Sequence, residues 1–148
     1  MEIVNVKEKR IHGISIRTTN AREMDPKTAR IGALVQKFDE CVTVDYAAGA
    51  RVYNVYSDYE SDASGEYAIL AGTDNPGSST VELEHVVIPG GKYIVFRGRG
   101  EVPHIVIETW GHIWAYFSQG NPQHKRIFST DFEFYKTQND IEIYISIE

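Results

Sequence analysis

A glutamate stands inside an aromatic segment near the end of the chain. Glu133 lies between Phe132 and Phe134 and is followed by Tyr135. A buried carboxylate is costly unless it is paired or hydrogen-bonded, and aromatic faces around it attract organic cations. The segment is therefore a candidate site for a charged ligand. The alternative is a half-buried strand that turns Glu133 to solvent, as we expect for Glu142.

Aromatic residues are the least ordinary feature of the composition, with nine tyrosines, six phenylalanines and two tryptophans. Tyrosine combines an apolar ring with a polar tip, so it suits pocket walls, although aromatic residues also favour strands in general. Trp110 and Trp114 lie four residues apart on a predicted helix and could equally be core anchors. The candidate ligand-binding residues are Glu133, Trp110, Tyr56, Tyr59, Tyr93, Trp114 and Tyr135.

Other site chemistries find little support in the sequence. His104, Glu108 and His112 form one straight row on the predicted helix, and such a row cannot easily wrap a tetrahedral ion. No nucleophile elbow or phosphate loop is present, and Cys41 has no evident base. We therefore predict no metal, no cofactor and no assigned catalytic residue.

The charge balance argues against nucleic acid as a direct partner. The chain carries a formal net charge of -6, whereas nucleic-acid binders need a positive face. The densest basic pair, Arg97-Gly98-Arg99, is predicted to lie in a turn. An acidic protein instead attracts cations, including organic ones.

The hydropathy, the N-terminal residues and the cysteine count predict the cellular compartment. No apolar run approaches the roughly 18–20 residues that span a bilayer, and the first eight residues do not read as a signal peptide. A single cysteine excludes an internal disulfide and fits a reducing compartment. We expect a cytoplasmic protein without a membrane partner.

The second half of the chain predicts a strand pair, a helix and a hairpin. Isoleucine at every second position from 141 to 147 indicates a half-buried strand, paired with the β-prone segment 126–136 through a turn. Apolar positions repeat every three or four residues over 103–117, which is one helical face, and Gly120-Asn121-Pro122 predicts the helix end. Apolar runs at 86–88 and 93–96 precede the helix.

The first half repeats this order. Residues 10–18 and 51–59 are predicted strands, and 66–72 closes a hairpin. Asp25-Pro26 is predicted to open the intervening helix, and residues 74–79 to join the halves. The apolar face of that helix comprises Ile31, Leu34, Val35 and Phe38.

The repeated β-α-β-β order predicts an internal duplication, with pseudo-repeats at about 1–74 and 80–148. We expect a single α+β domain over residues 1–148, with a largely antiparallel sheet and both helices on one face. The seam between the halves is then a natural place for a small-molecule pocket.

The order of these segments resembles a known family. The first half carries YSDYESD at 56–62, followed by Gly65-Glu66-Tyr67. The second carries IPGGKY at 88–93, a tryptophan-bearing helix and FEFY at 132–135. In order and spacing these resemble GyrI-like effector-binding domains, which also occur behind DNA-binding helices in AraC-type and MerR-type activators.

The resemblance implies an aromatic pocket with a buried glutamate, here Glu133, that favours cationic ligands. The chain lacks the helix-turn-helix region of the full activators, so we expect no direct promoter binding. A sensor or sequestering protein is the leading hypothesis, with a separate regulator or enzyme as partner and a monomer or homodimer as the assembly. A hydrolase of reactive cyclopropane-bearing compounds, using Glu133 with Tyr135 or another tyrosine at the seam, is the alternative. An interaction module that inhibits a DNA-handling enzyme is a third.

Overall fold

The computed structural model describes residues 1–120 and 123–148. Within them the strands are β1 (Glu2–Val6), β2 (Lys9–Thr18), β3 (Val42–Val44), β4 (Val52–Ser57), β5 (Tyr67–Thr73), β6 (Pro76–Ser79), β7 (Glu84–Ile88), β8 (Gly91–Arg99), β9 (Asp131–Tyr135) and β10 (Asp140–Ser146). The α-helices are α1 (Asn20–Met24), α2 (Ile31–Cys41) and α3 (His104–Phe117). No helix in these ranges is long and apolar enough to cross a membrane.

Eight strands form one antiparallel sheet in the order β1-β8-β10-β9-β4-β5-β2-β7. The two central strands, β9 and β4, come from different halves of the chain, and each half continues outward in the same pattern. Each half also contributes its leading strand to the opposite edge, so that β1 pairs with β8 and β7 pairs with β2. The α+β class and the duplicated order are thus confirmed, and the seam is the β4–β9 pair.

The two long helices, α2 and α3, cover one face of this sheet, as predicted. Leu34 and Phe38 of α2 pack with buried side chains of β2 and β5. Ile105 and Ile113 of α3 pack with the isoleucines of β10, which alternate toward the helices. Trp110 packs against both clusters, so its side chain bridges the two halves above the seam.

The opposite face, which we call the inner face, holds a third apolar cluster that includes Tyr53, Phe132 and Tyr93. A cavity of about 160 Å³ on this face is lined by Val6 of β1, Ile88 of β7 and rings of the central strands. Side chains from near both edges of an eight-stranded sheet can border one small cavity only if the sheet curls. The sheet therefore curls toward the inner face and away from the helices.

The prediction that Asp25-Pro26 opens the first long helix is wrong. Helix α1 already ends there, with Thr19 as its N-cap accepting a hydrogen bond from Arg22 N. Helix α2 begins at Ile31, because the Glu23 carboxylate accepts hydrogen bonds from the free N–H groups of Arg30 and Ile31. A carboxylate seven residues upstream thus does the work of a local cap.

Two further expectations need correction, and a third falls partly outside the described residues. Residues 74–79 are not a plain linker, because β6 pairs with β3 in a second, two-stranded sheet. Arg97-Gly98-Arg99 ends strand β8 instead of forming a turn, and both arginines pair with carboxylates. Helix α3 ends at Phe117, while Asn121-Pro122 of the predicted stop lies outside the described residues.

Candidate functional site

Glu133 lies at the centre of the seam and is only 2% exposed. It is on β9, directly opposite Asn54 of β4. Because side chains alternate along a strand, Phe132 and Phe134 enter the inner-face cluster and Glu133 points to the helix side. The alternative of a solvent-facing Glu133 is therefore wrong.

Four neutral groups donate hydrogen bonds to the Glu133 carboxylate. Oε2 accepts from Tyr56 Oη and from Trp110 Nε1, each at 2.7 Å. Oε1 accepts from Tyr135 Oη at 2.7 Å and from Asn54 Nδ2 at 3.1 Å. A carboxylate has about four lone-pair positions, so these partners satisfy its hydrogen-bonding capacity.

Within the described part of the chain, no cationic side chain forms an ion pair with this carboxylate. None of the ion pairs found in residues 1–120 and 123–148 includes Glu133. Hydrogen bonds from neutral groups stabilise a negative charge locally but leave the net charge in place. The site is thus a buried acceptor with an unbalanced charge, which is the electrostatic condition for attracting a cation.

The tyrosines around Glu133 are held in their donor form. Burial, reinforced by the negative charge of Glu133, raises the pKa of Tyr56 and of Tyr135 well above the usual range. Both hydroxyls therefore keep their protons at any physiological pH. The hydrogen bonds to Glu133 are a fixed part of the site near neutrality.

A second buried carboxylate lies two residues away on the same strand face. Asp131 is 0% exposed and pairs with Arg126 at 2.8 Å. It also accepts from Tyr59 Oη at 2.5 Å and from Ser146 N at 2.9 Å. The Arg126 guanidinium also lies 4.2 Å from the Phe128 ring centroid. Because Arg126 pairs with Asp131, this carboxylate already has a cationic partner within the protein.

A continuous series of aromatic rings leads from Glu133 toward solvent. Tyr56 contacts Trp110 and Tyr67, with ring centroids 5.3 and 5.4 Å apart. Tyr67 in turn contacts Tyr59 at 5.8 Å. Trp110 lies 6.2 Å from Trp114, which is 40% exposed. These rings offer apolar faces beside a negative charge.

The structure brings together four of the seven candidate residues: Glu133, Trp110, Tyr56 and Tyr135. Tyr59 and Trp114 lie one ring farther out, and Tyr59 uses its hydroxyl on Asp131. Tyr93 is not near them: it lies on β8 in the inner-face cluster and donates to Pro89 O at 2.7 Å. We expected Tyr93 among the ligand-binding residues near the seam, but its side chain lies on the face opposite to Glu133, because its neighbour Ile94 takes the helix side.

Asn54 and Asp131 were missed from the sequence. Asn54 lies two residues before Tyr56 on β4, so strand alternation alone indicates that both share a face. Asp131 bears the same relation to Glu133. Neither residue belongs to an aromatic motif, which is why composition did not single them out.

Neither of the two cavities that we describe is lined by Glu133. The cavity of about 160 Å³ belongs to the inner face, and its one charged neighbour, Lys9, pairs with Asp74 at 3.5 Å. A second cavity of about 320 Å³ is an open depression near residues 22–30. We place the candidate site at Glu133 on chemistry, because there a buried carboxylate without an ion pair among the described residues meets several ring faces.

Comparison with known proteins now decides the family. A family model described as Cass2, integron-associated effector binding protein, matches residues 2–147. The chain belongs to this family. Its resemblance to GyrI-like effector-binding domains is confirmed, and the Cass2 match extends over nearly all of the sequence.

Relatives of this Cass2 chain support the assignment. YobU of Bacillus subtilis strain 168, whose name proposes a transcriptional regulator, is 32% identical over 99% of this chain and 96% of its own length. An integron cassette protein from the mobile metagenome of Vibrio cholerae is 37% identical, with a TM-score of 0.90 and coverage of 99% and 95%. SAV2435, solved with tetraphenylphosphonium, shares the fold at a TM-score of 0.72 and 15% identity, with coverage of 99% and 93%.

Proposed function

We propose that this chain binds small organic cations on the helix side of the seam and acts as a cytoplasmic sensor or sequestering protein. Glu133 supplies the charge preference, while Trp110, Tyr56 and Tyr135 orient it and form the nearest part of the site. The observation that carries the proposal is a carboxylate that is 2% exposed and has four neutral donors but no ion-pair partner among residues 1–120 and 123–148.

Magnitudes favour charge as the source of selectivity. A cation about 6 Å from Glu133 gains about 3 kcal/mol at an effective dielectric constant of about 20. A single cation–π contact contributes about 0.5–2 kcal/mol. Aromatic rings bind neutral and charged aromatic ligands alike through apolar contact, so the carboxylate must account for most of the preference between them.

The route to the site runs past the two tryptophans. Trp110 packs against both helix clusters, and its neighbour Trp114 is partly exposed. We propose that a ligand enters between α2 and α3 and stacks on the Trp110 indole and the Tyr56 and Tyr67 rings. SAV2435 supports this class of ligand, because that protein of similar fold was solved with a lipophilic cation.

Binding can be tested by titrating the wild-type chain with tetraphenylphosphonium and with neutral triphenylphosphine oxide. We expect the cation to quench tryptophan fluorescence saturably and to raise the melting temperature. A Trp114→Phe variant isolates the Trp110 signal. A flat titration with the phosphonium ion and with a panel of other aromatic cations would contradict the proposal.

Regulation is the biological setting that we propose. YobU, which aligns along nearly its whole length, carries a name that proposes transcriptional regulation. We propose that a separate regulator reads the ligand-bound state of this chain.

Hydrolysis remains the second candidate because a carboxylate flanked by two tyrosine hydroxyls could activate water. The observed geometry favours binding over this alternative. Each oxygen of Glu133 already accepts two hydrogen bonds. To act as a general base, Glu133 would first have to lose one of these donors. Mass spectrometry of a cyclopropane-bearing substrate separates the two, since water addition above the protein-free rate requires catalysis.

A further inference from the structure

We propose that this site discriminates among cations, selecting those without hydrogen-bond donors over protonated amines of the same shape. The favoured class comprises quaternary ammonium, phosphonium and delocalised aromatic cations. This inference rests on the proposed function and refines it. It follows from how the hydrogen-bonding capacity of Glu133 is used, not from its charge alone.

The carboxylate has no free position for a ligand N–H. Tyr56 and Trp110 occupy Oε2, and Tyr135 and Asn54 occupy Oε1, all at 2.7 to 3.1 Å. Two acceptor positions on each oxygen are the normal capacity of a carboxylate. A cationic ligand can therefore interact electrostatically with Glu133. It cannot form a hydrogen bond with the carboxylate unless it displaces one of the four donors.

Displacing one of these donors is costly because they are buried and already hydrogen-bonded to Glu133. Tyr56 and Asn54 are among the buried residues, and Glu133 is the acceptor for Tyr56 Oη and Trp110 Nε1. A displaced hydroxyl or indole N–H would lose its acceptor inside the protein. An unsatisfied buried donor weakens an equilibrium by about tenfold or more.

Protonated amines meet a second obstacle when they enter. Each N–H gives up a water molecule, and in a region walled by rings it finds few acceptors in exchange. A quaternary ammonium or phosphonium ion has no such bond to lose. Its charge is screened by hydrocarbon, which packs against Tyr67, Tyr56 and Trp110 while the charge interacts with Glu133 through space.

Asn54 Oδ1 is a competing acceptor in this cluster. It is buried and has no hydrogen-bond partner among the described residues. The amide directs its nitrogen to Glu133 and to Tyr135 Oη, so its oxygen is turned away from the carboxylate. An amine that reached this oxygen would escape the discrimination, which makes the inference directly refutable.

The test compares (biphenyl-4-ylmethyl)trimethylammonium with protonated (biphenyl-4-ylmethyl)dimethylamine, which differ by one methyl group in place of one N–H. Isothermal titration at pH 7 keeps both ligands positively charged. We expect the quaternary ion to bind at least about tenfold more tightly to the wild-type chain. Affinities within about twofold, or tighter binding of the amine, would overturn the inference.

A hydroxyl deletion then shows whether the filled carboxylate is the cause. Tyr135→Phe frees one position on Oε1, so the gap between the two ligands should shrink several-fold. Tyr56→Phe does the same on Oε2 and serves as a second variant if the first fails to fold. Tyr53→Phe, on the inner face of the same seam, is the matched control and should leave the gap unchanged.

The possible outcomes distinguish a failure of this selectivity from a failure of cation binding itself. If neither ligand binds the wild-type chain, the proposed function fails and the selectivity falls with it. If both bind equally and lose affinity in Glu133→Gln, cation binding stands and the donor discrimination is wrong. A large gap that Tyr135→Phe and Tyr56→Phe leave intact also refutes the mechanism.

Discussion

Asp131 and Glu133 are two buried carboxylates on one face of one strand, yet they have opposite electrostatic settings. Asp131 is neutralised by Arg126 at 2.8 Å. Glu133 receives four hydrogen bonds from neutral groups and no ion pair within the described residues. The difference suggests a criterion for the proposed ligand site: besides burial, the carboxylate has no balancing cation among the described residues.

Tyrosine hydroxyls divide between the two carboxylates. Tyr59 serves Asp131, whereas Tyr56 and Tyr135 serve Glu133. The same residue type therefore supports an internal ion pair at one position and a charge left open to a ligand at the other. The first arrangement contributes to the fold, and the second leaves a buried charge that, in our proposal, a ligand balances.

The largest expected effect separates the two carboxylates by stability. Asp131→Asn leaves the buried Arg126 guanidinium without its counterion and should lower the free energy of unfolding by about 3–5 kcal/mol. Glu133→Gln should cost clearly less, because removing an unbalanced charge offsets the hydrogen bonds that are lost. Urea denaturation of both variants measures this, and equal losses would break the comparison.

A smaller effect is expected from the tyrosines. Tyr59→Phe removes a hydrogen bond to a charged group and should lower stability by about 1.5–3 kcal/mol, while the affinity for tetraphenylphosphonium stays within about twofold. Tyr56→Phe should change that affinity, because it alters the carboxylate that faces the ligand. Loss of cation binding in Tyr59→Phe without loss of stability would reverse the assignment of these two hydroxyls.

Alkaline pH should weaken the fold through the same tyrosines. The folded-state pKa of Tyr56, Tyr59 and Tyr135 is raised well above the unfolded value near 10, and burial raises the pKa of Tyr93 to about 12. Their stabilising contribution is complete below pH 10 and declines above it, because only the unfolded chain releases the protons. The slope is about 1.4 kcal/mol per pH unit for each such tyrosine.

Absorbance near 295 nm, recorded together with circular dichroism, tests this pH dependence. We expect the buried tyrosines to ionise only as the chain unfolds, whereas exposed Tyr46 titrates while the chain is still folded. Ionisation of all nine tyrosines before any loss of structure would show that the hydroxyls around the two carboxylates are not held as described.

Much of the fold was predictable because its signals are local. The isoleucine alternation of β10 and the apolar face of α3 each depend on a few neighbouring residues, and the duplicated order follows from them. The start of α2 was not predictable from its own residues, because the Glu23 carboxylate caps it from seven residues upstream. Strand β1 also escaped notice, since its pairing partner β8 lies about 90 residues away.

The site was predictable only in part for the same reason. Glu133 is marked by its aromatic neighbours, and the seam by the duplication. Tyr93 was misplaced because Tyr93 and Ile94 are both apolar enough to face a core, so alternation does not decide between them. The Arg126–Asp131 pair depends on a left-handed backbone at Phe128, with φ of 51°, which turns the chain before β9 and has no signature in the sequence.

The central claim is that Glu133, and not the aromatic rings, sets the preference for positive charge. Its most direct test is isothermal titration of wild type, Glu133→Gln and a control, Glu142→Gln, with tetraphenylphosphonium and triphenylphosphine oxide. We predict that Glu133→Gln weakens the cation by about 100-fold and the neutral ligand by less than about threefold, while Glu142→Gln changes neither. Equal losses for both ligands in Glu133→Gln would contradict the account.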